Sequence, residues 1–201
     1  MPRDATDTRQ QLIDAGRRLF ARNGVYQTPL KQIVEDAGQK NSSALHYHFG
    51  GRGGLLAAIL ESGNAQVEAD RKEMLDSFGD RVTLNELVQA VTYPLARQIK
   101  TVEGREFIII IGQLQDKFNL WDVASETPPQ ARRAFVAITD HMSSDLEIAT
   151  RRERVELFLG LVVSSLGSRA RQRQRGEEPP LHGSDFIENL VTMSVGALLA
   201  R

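Results

Sequence analysis

The chain has 201 residues, 41% of them hydrophobic, a formal net charge of −1 and no cysteine. Such a composition can build a globular core, and the absence of cysteine excludes disulfides, thiolate nucleophiles and cysteine-ligated zinc together. The amino terminus MPRDATDTRQQ lacks a secretory apolar stretch and no apolar run approaches about 18 residues, so a soluble, cytoplasmic protein without a membrane span is expected.

Charge is uneven along the chain. Residues 1–60 hold eight Lys/Arg against five acids, a net of +3, while the remainder holds 17 against 21, a net of −4. This suits a phosphate-facing module on a neutral-to-acidic body, and equally suits ordinary solvated helix faces.

In chain order, Asp7 or Thr8 can cap a first helix whose apolar stripe is Leu12, Ile13, Leu19 and Phe20, with Asn23-Gly24 as its stop. Arg9, near its start, can reach a phosphate or stay solvated. Thr28 is a good N-cap and Pro29 suits the first helical position, so a second helix should start there. Leu30, Ile33, Val34 and Ala37 form its stripe, and Gly38 stands where a C-terminal cap needs positive φ. After the turn, Ala44, Leu45 and Phe49 can face inward while Lys40, Asn41, Ser42, Ser43 and His46 stay polar and outward. Two helices joined by a turn of about 3–4 residues describe a helix-turn-helix, whose second helix enters the DNA major groove.

Gly24-Val-Tyr-Gln-Thr28, Ile33, Ala37-Gly38, Tyr47-His48-Phe49 and Arg52 before Leu55-Leu56 resemble, in order, the amino-terminal signature of TetR-type transcriptional regulators over roughly residues 8 to 60. Three departures stand out. Between Ala37-Gly38 and His48-Phe49 the chain has one residue more than the family pattern, leaving Gln39, Lys40 or Asn41 as the start of the recognition helix. His46 replaces the first of two aromatic residues. Gly53-Gly54 replaces an acidic pair and should soften the next helix's first turn.

The residue types then suggest roles. Thr28 can cap its helix and hold a phosphate. Lys40 can donate to guanine or phosphate, Asn41 suits adenine, and Ser42, Ser43 and His46 can pair with several base edges. Tyr47 offers its O–H to phosphate or lies half-buried against the first helix; His48 reaches phosphate or packs between helices. Arg52 resembles the family's phosphate-binding basic residue. His46 and His48, two apart, diverge by about 200° on a helix, so no metal site is expected.

A helix from about Arg52 into the 70s should link the two parts mechanically. Further helices are expected from Thr83 to about Lys100, with Pro94 kinking it or ending its first half, from Glu103 to Trp121 despite the strand-like run Phe107 to Ile111, from Gln130 to Ile148, from Thr150 to Gln174 and from Ser184 to Ala200. The small and apolar surfaces of the last two suggest a four-helix interface between two copies. The expected fold is therefore all-α: an amino-terminal three-helix helix-turn-helix DNA-binding domain over 1–60, and a helical effector-binding and dimerisation domain over 61–201.

In the family this resembles, the carboxy-terminal helices enclose a small-molecule pocket whose filling moves the DNA-binding heads. Candidate contacts are Tyr93, Phe107, Gln113, Phe118, Trp121, His141, Met142 and Phe158, each of a type that also serves as ordinary core. The resemblance implies a ligand-responsive regulator, in the first instance a repressor, binding a palindromic double-stranded operator as a homodimer. Two other readings are a helical dimeric scaffold and a small all-α enzyme carrying a helix-turn-helix. No Walker loop or His-Glu metal motif supports the enzyme, and no cofactor is implied.

Overall fold

The computed structural model describes residues 2–41, 43–79, 81–115, 120–121 and 127–200, the side chains of 2–5 excepted. Among them the regular elements are all helices: α1 Pro2–Asn23, α2 Leu30–Asp36, α3 Ala44–Phe49, α4 Arg52–Ser77, α5 Leu84–Gln98, α6 Val102–Gln113, α7 Pro129–His141, α8 Ile148–Gln174 and α9 Gly183–Leu198.

Local chemistry explains most of the boundaries. Gly24, at φ +100°, ends α1, although that helix begins at Pro2 and not at the expected Asp7 or Thr8 cap. α2 ends in a Schellman turn: Gly38 takes φ +67°, its N–H donates to Glu35 O, and the N–H of Gln39 donates to Val34 O at 3.0 Å. Thr83 opens α5 through a reciprocal capping box with Glu86. Phe107 to Ile111 is helical: Phe107 to Ile110 are buried between packed helices, and the described residues offer no strand to pair with. α6 nevertheless ends at Gln113, short of the expected Trp121, and α7 ends at His141, short of Ile148.

Two apolar clusters fill the interior. Leu12, Phe20, Ile33, Leu45, Leu55 and Ile59 unite α1 to α3 with the start of α4, and Ile110 of α6 and Leu114 just past its end join them. The larger cluster gathers the rest of α4 with α5 to α9, around residues such as Leu87, Ile108, Phe158 and Leu166. α4 therefore contributes to both.

Pro94 lies inside α5, where it has no N–H to give the Ala90 carbonyl. Arg71 of α4, 3% exposed, supplies the missing donor through Nε at 3.2 Å. Its Nη1 pairs with Glu68, whose other oxygen accepts the N–H of Gln130 at 2.7 Å in the first turn of α7. One buried polar chain thus ties α5, α4 and α7 together, and burial depresses the affinity of the Arg71 guanidinium for its proton while Glu68 opposes that.

Candidate nucleic-acid interface and cavity

The segment between α2 and α3 is longer than a tight turn. Residues 37–43 connect the helices, so Gln39, Lys40 and Asn41 all precede α3, and none of them begins it as expected. Gln39 folds back, donating through Nε2 to Gln11 on α1 at 2.7 Å. Asn41 organises the approach to α3: its Oδ1 accepts the Ser43 N–H at 2.9 Å, and its carbonyl accepts the Ala44 N–H at 3.0 Å.

Lys40, Asn41, Ser43, His46 and Tyr47 are exposed and lie together on the turn and on α3, while Leu45 anchors α3 inward. Ser42 lies outside the described residues. Tyr47 is 83% exposed, which corrects the alternative of a ring half-buried against α1. His48 is half-buried, edge-on to Tyr47 with centroids 5.1 Å apart. Arg9, on α1, stacks over Phe49 at 5.2 Å.

Thr28 departs from its expected place. Its side chain is fully buried and its hydroxyl donates to Gly24 O at 2.7 Å and Leu19 O at 3.2 Å, sealing the end of α1. It makes no side-chain cap on α2, whose N-cap is Pro29, and its own N–H donates to Gly24 O. A Thr before a helix reads as a cap in sequence, but the carbonyls of Leu19 and Gly24 at the end of α1 compete for the same hydroxyl.

Arg52 is half-buried at the start of α4, where it donates to the Val25 carbonyl and stacks over Phe20 at 5.8 Å. Its first job is therefore to bind the α1–α2 loop to α4. The N–H of the same residue, Val25, donates to Gln113 Oε1 at 2.9 Å, and Gln113 Nε2 donates to Phe20 O at 3.1 Å. Arg17 of α1 pairs with Glu106 of α6 at 2.9 Å; burial disfavours the cation, but Glu106 and Asp14 outweigh this and hold its proton more tightly. Sequence reasoning took α4 as the link between the two parts and missed α6, because these partners are 89 and 88 residues apart.

Gly54 has a steric reason to be glycine. A Cβ there would lie 1.9 Å from the Phe49 carbonyl oxygen, whereas one at Gly53 would meet open space. The second glycine of the pair thus lets α3 close onto α4, a role beyond the expected softening.

A cavity of about 1040 Å³ opens between α4, α6, α7 and α8. Ala57, Leu60, Glu61, Asn64 and Ala65 form one wall, and Glu156, Leu157, Gly160, Leu161 and Ser164 form the opposite one. Its size suits a drug-sized ligand. None of Tyr93, Phe107, Gln113, Trp121, His141, Met142 or Phe158 lines it, and Phe118 lies outside the described residues. Phe107 and Phe158 are buried in core, Tyr93 packs against the larger cluster, and Arg152 stacks over Trp121 at 5.3 Å. His141 sits at the surface against the carbonyls of Ala137 and Val82. Among the described residues no group of His, Cys, Asp or Glu could hold a metal, and no helix is long and apolar enough to cross a membrane.

Residues 12–59 match the family model for bacterial regulatory proteins of the tetR family. The chain is 33% identical over 100 residues to the HTH-type transcriptional regulator LmrA of Bacillus subtilis, covering 50% of this chain and 52% of LmrA. It is 37% identical over 67 residues to the HTH-type transcriptional regulator SrpR of Pseudomonas putida, covering 33% of this chain and 31% of SrpR. The chain thus spans about half or less of the length of these relatives. In fold it is similar to NalD, the secondary repressor of the MexAB-OprM multidrug efflux pump in Pseudomonas aeruginosa, with a TM-score of 0.59 at 16% identity over 98% of both chains. These relatives are transcriptional regulators, and residues 12–59 of the chain match the amino-terminal helix-turn-helix domain of the tetR family.

Proposed function

We propose that the protein is a ligand-responsive transcriptional repressor in which residues 1–60 read DNA and residues 61–201 bind an effector and dimerise. The observation that carries this reading is the course of α4. It starts two residues beyond Gly50, directly after α3, and its next turns, from Ala57 to Arg71, form a wall of the cavity. A ligand that displaces that wall moves the end of α4 against which α3 is packed. α6 offers a second route, since Ile111 and Gln115 line the cavity while Gln113 holds Val25.

In this reading Lys40, Asn41, Ser43 and His46 face base edges, with Ser42 assigned beside them from sequence. Tyr47, His48 and the free donors of Arg52 face phosphates, and Thr28 keeps only its structural place. The two copies meet through α8 and α9, where Leu157, Met193 and, just past the end of α9, Leu199 are exposed large apolar side chains. A two-fold dimer places two recognition helices on half-sites about one helical turn apart or a multiple of it, so the operator is a palindrome. Such a repressor works in the cytoplasm on double-stranded DNA.

Selection of bound sequences from a random duplex pool, followed by release with candidate effectors, tests the reading. Recovery of a palindrome supports it. Recovery of no enriched sequence at low salt defeats it.

A further inference from the structure

We infer that the α4–α8 cavity takes a lipophilic cation, a molecule with an apolar body and a single positive group. This rests on the cavity being the effector site and adds the chemical class of the effector.

The cavity is built from apolar walls: Leu60, Leu95, Leu120, Phe135, Leu159 and Val163 among others. α4 and α8 do not pack along their lengths, and the space between them is what remains after α6 and α7 have closed its ends. Among the described residues five charged side chains border it: Glu61, Glu68, Arg71, Glu153 and Glu156. Arg71 and Glu68 neutralise each other within the buried chain that runs to Ala90 and Gln130. The other three are carboxylates, and none has an ion pair or hydrogen bond among the described residues.

Their placement follows from the helix period. Glu61 stands on the stripe of α4 that includes Ala57, Asn64 and Ala65; Glu153 and Glu156 stand on the stripe of α8 that includes Leu157 and Gly160. Exposed carboxylates therefore border the mouth of the space on both walls. An anionic ligand entering here would lose water and meet three like charges, with the guanidinium of Arg71 already engaged. A cationic ligand exchanges its hydration for carboxylates while its apolar part displaces water from the leucine walls. A neutral ligand would gain only the second term.

The test uses tetraphenylphosphonium and tetraphenylborate, ions of nearly the same shape and opposite charge, titrated calorimetrically into the full-length protein. The phosphonium should bind at least about tenfold tighter than the borate, a difference that corresponds to one effective charge contact. In the triple variant E61Q/E153Q/E156Q that preference should vanish. In Gly160→Leu, where an added Cβ meets only Gln115 Nε2 at an ordinary 3.5 Å, the larger side chain should fill the space and abolish phosphonium binding.

Equal or tighter borate binding by the wild-type chain overturns the inference with no variant needed. So does phosphonium affinity unchanged in Gly160→Leu, a preference that survives the triple variant, or no binding of either ion, the outcome expected if a second copy fills the groove. Phosphonium that binds in the cavity without releasing DNA leaves the charge class standing and refutes the ligand-responsive reading instead.

Discussion

Arg71 completes the helix that Pro94 interrupts. Its Nε donates to the Ala90 carbonyl, the acceptor that residue 94 would have satisfied had it carried an N–H. Replacing Arg71 by Met should leave both that carbonyl and the largely buried Glu68 without their partner, at a cost of about 3 kcal/mol. In that background Pro94→Ala restores a backbone donor and should recover about 1 kcal/mol, whereas in the wild type it should gain little. Urea unfolding of the four proteins of this cycle measures the coupling; additive effects would show that the two residues do not share the carbonyl.

Gln113 clasps the amino-terminal unit from the body, accepting from Val25 N–H and donating to Phe20 O. Gln113→Ala should cost about 1–3 kcal/mol for two main-chain groups left partly buried without partners. Amide exchange at Val25 should accelerate more than exchange in the middle of α8. Unchanged exchange at Val25 would mean that the clasp does not hold the loop in solution.

The glycine pair before Leu55 separates two effects. Gly54→Ala forces a methyl into the Phe49 carbonyl and should lower both the melting temperature and DNA affinity by displacing α3. Gly53→Ala meets open space and should be neutral or stabilising by up to about 1 kcal/mol, since alanine is the better helix former. Equal melting temperatures for the two variants would remove the steric account.

Acid should weaken the seams of α4. Asp70 is held below its ordinary carboxylate range by hydrogen bonds from Arg97 and then Gln66, and Asp76 by those from Lys72 and then Arg133. Both folded-state values are depressed, so their contribution is present above the unfolded value near 3.8 and is lost as pH falls through it towards the folded values. Stability measured from pH 6 downward should therefore bend within about one unit of 3.8. D70N/D76N should be less stable at pH 6 and show a shallower decline. A decline as steep as that of the wild type would place the acid sensitivity elsewhere.

Much of the fold is legible from local signals because their chemistry is local. The Thr83 capping box, the left-handed Gly38 and the stop at Asn23-Gly24 each involve neighbours in sequence. Thr28 misleads because two competing acceptors, Gly24 O and Leu19 O, lie upstream and come within reach of its hydroxyl only once α1 has ended there. The described aromatic residues named as candidate effector contacts do not line the cavity, for a different reason. Phe107 and Phe158 fill space, whereas a cavity lies where small or charged residues such as Ala57, Glu61 and Gly160 leave a gap between helices about a hundred residues apart. No periodicity within one helix reports the distance to another.

Asn41 is the residue on which the DNA-reading account turns, since it both shapes the turn into α3 and faces outward. Asn41→Ser retains a side-chain oxygen for the Ser43 N–H and removes the amide that pairs with adenine, so stability should stay within about 0.5 kcal/mol while base preference changes. The most direct measurement is selection of bound duplexes from a random pool by the wild type and by Asn41→Ser in parallel. Two palindromes that differ at one symmetric position are the predicted result; identical sequences from both proteins, or no enrichment by either, would contradict the assignment of the turn and α3 to the DNA groove.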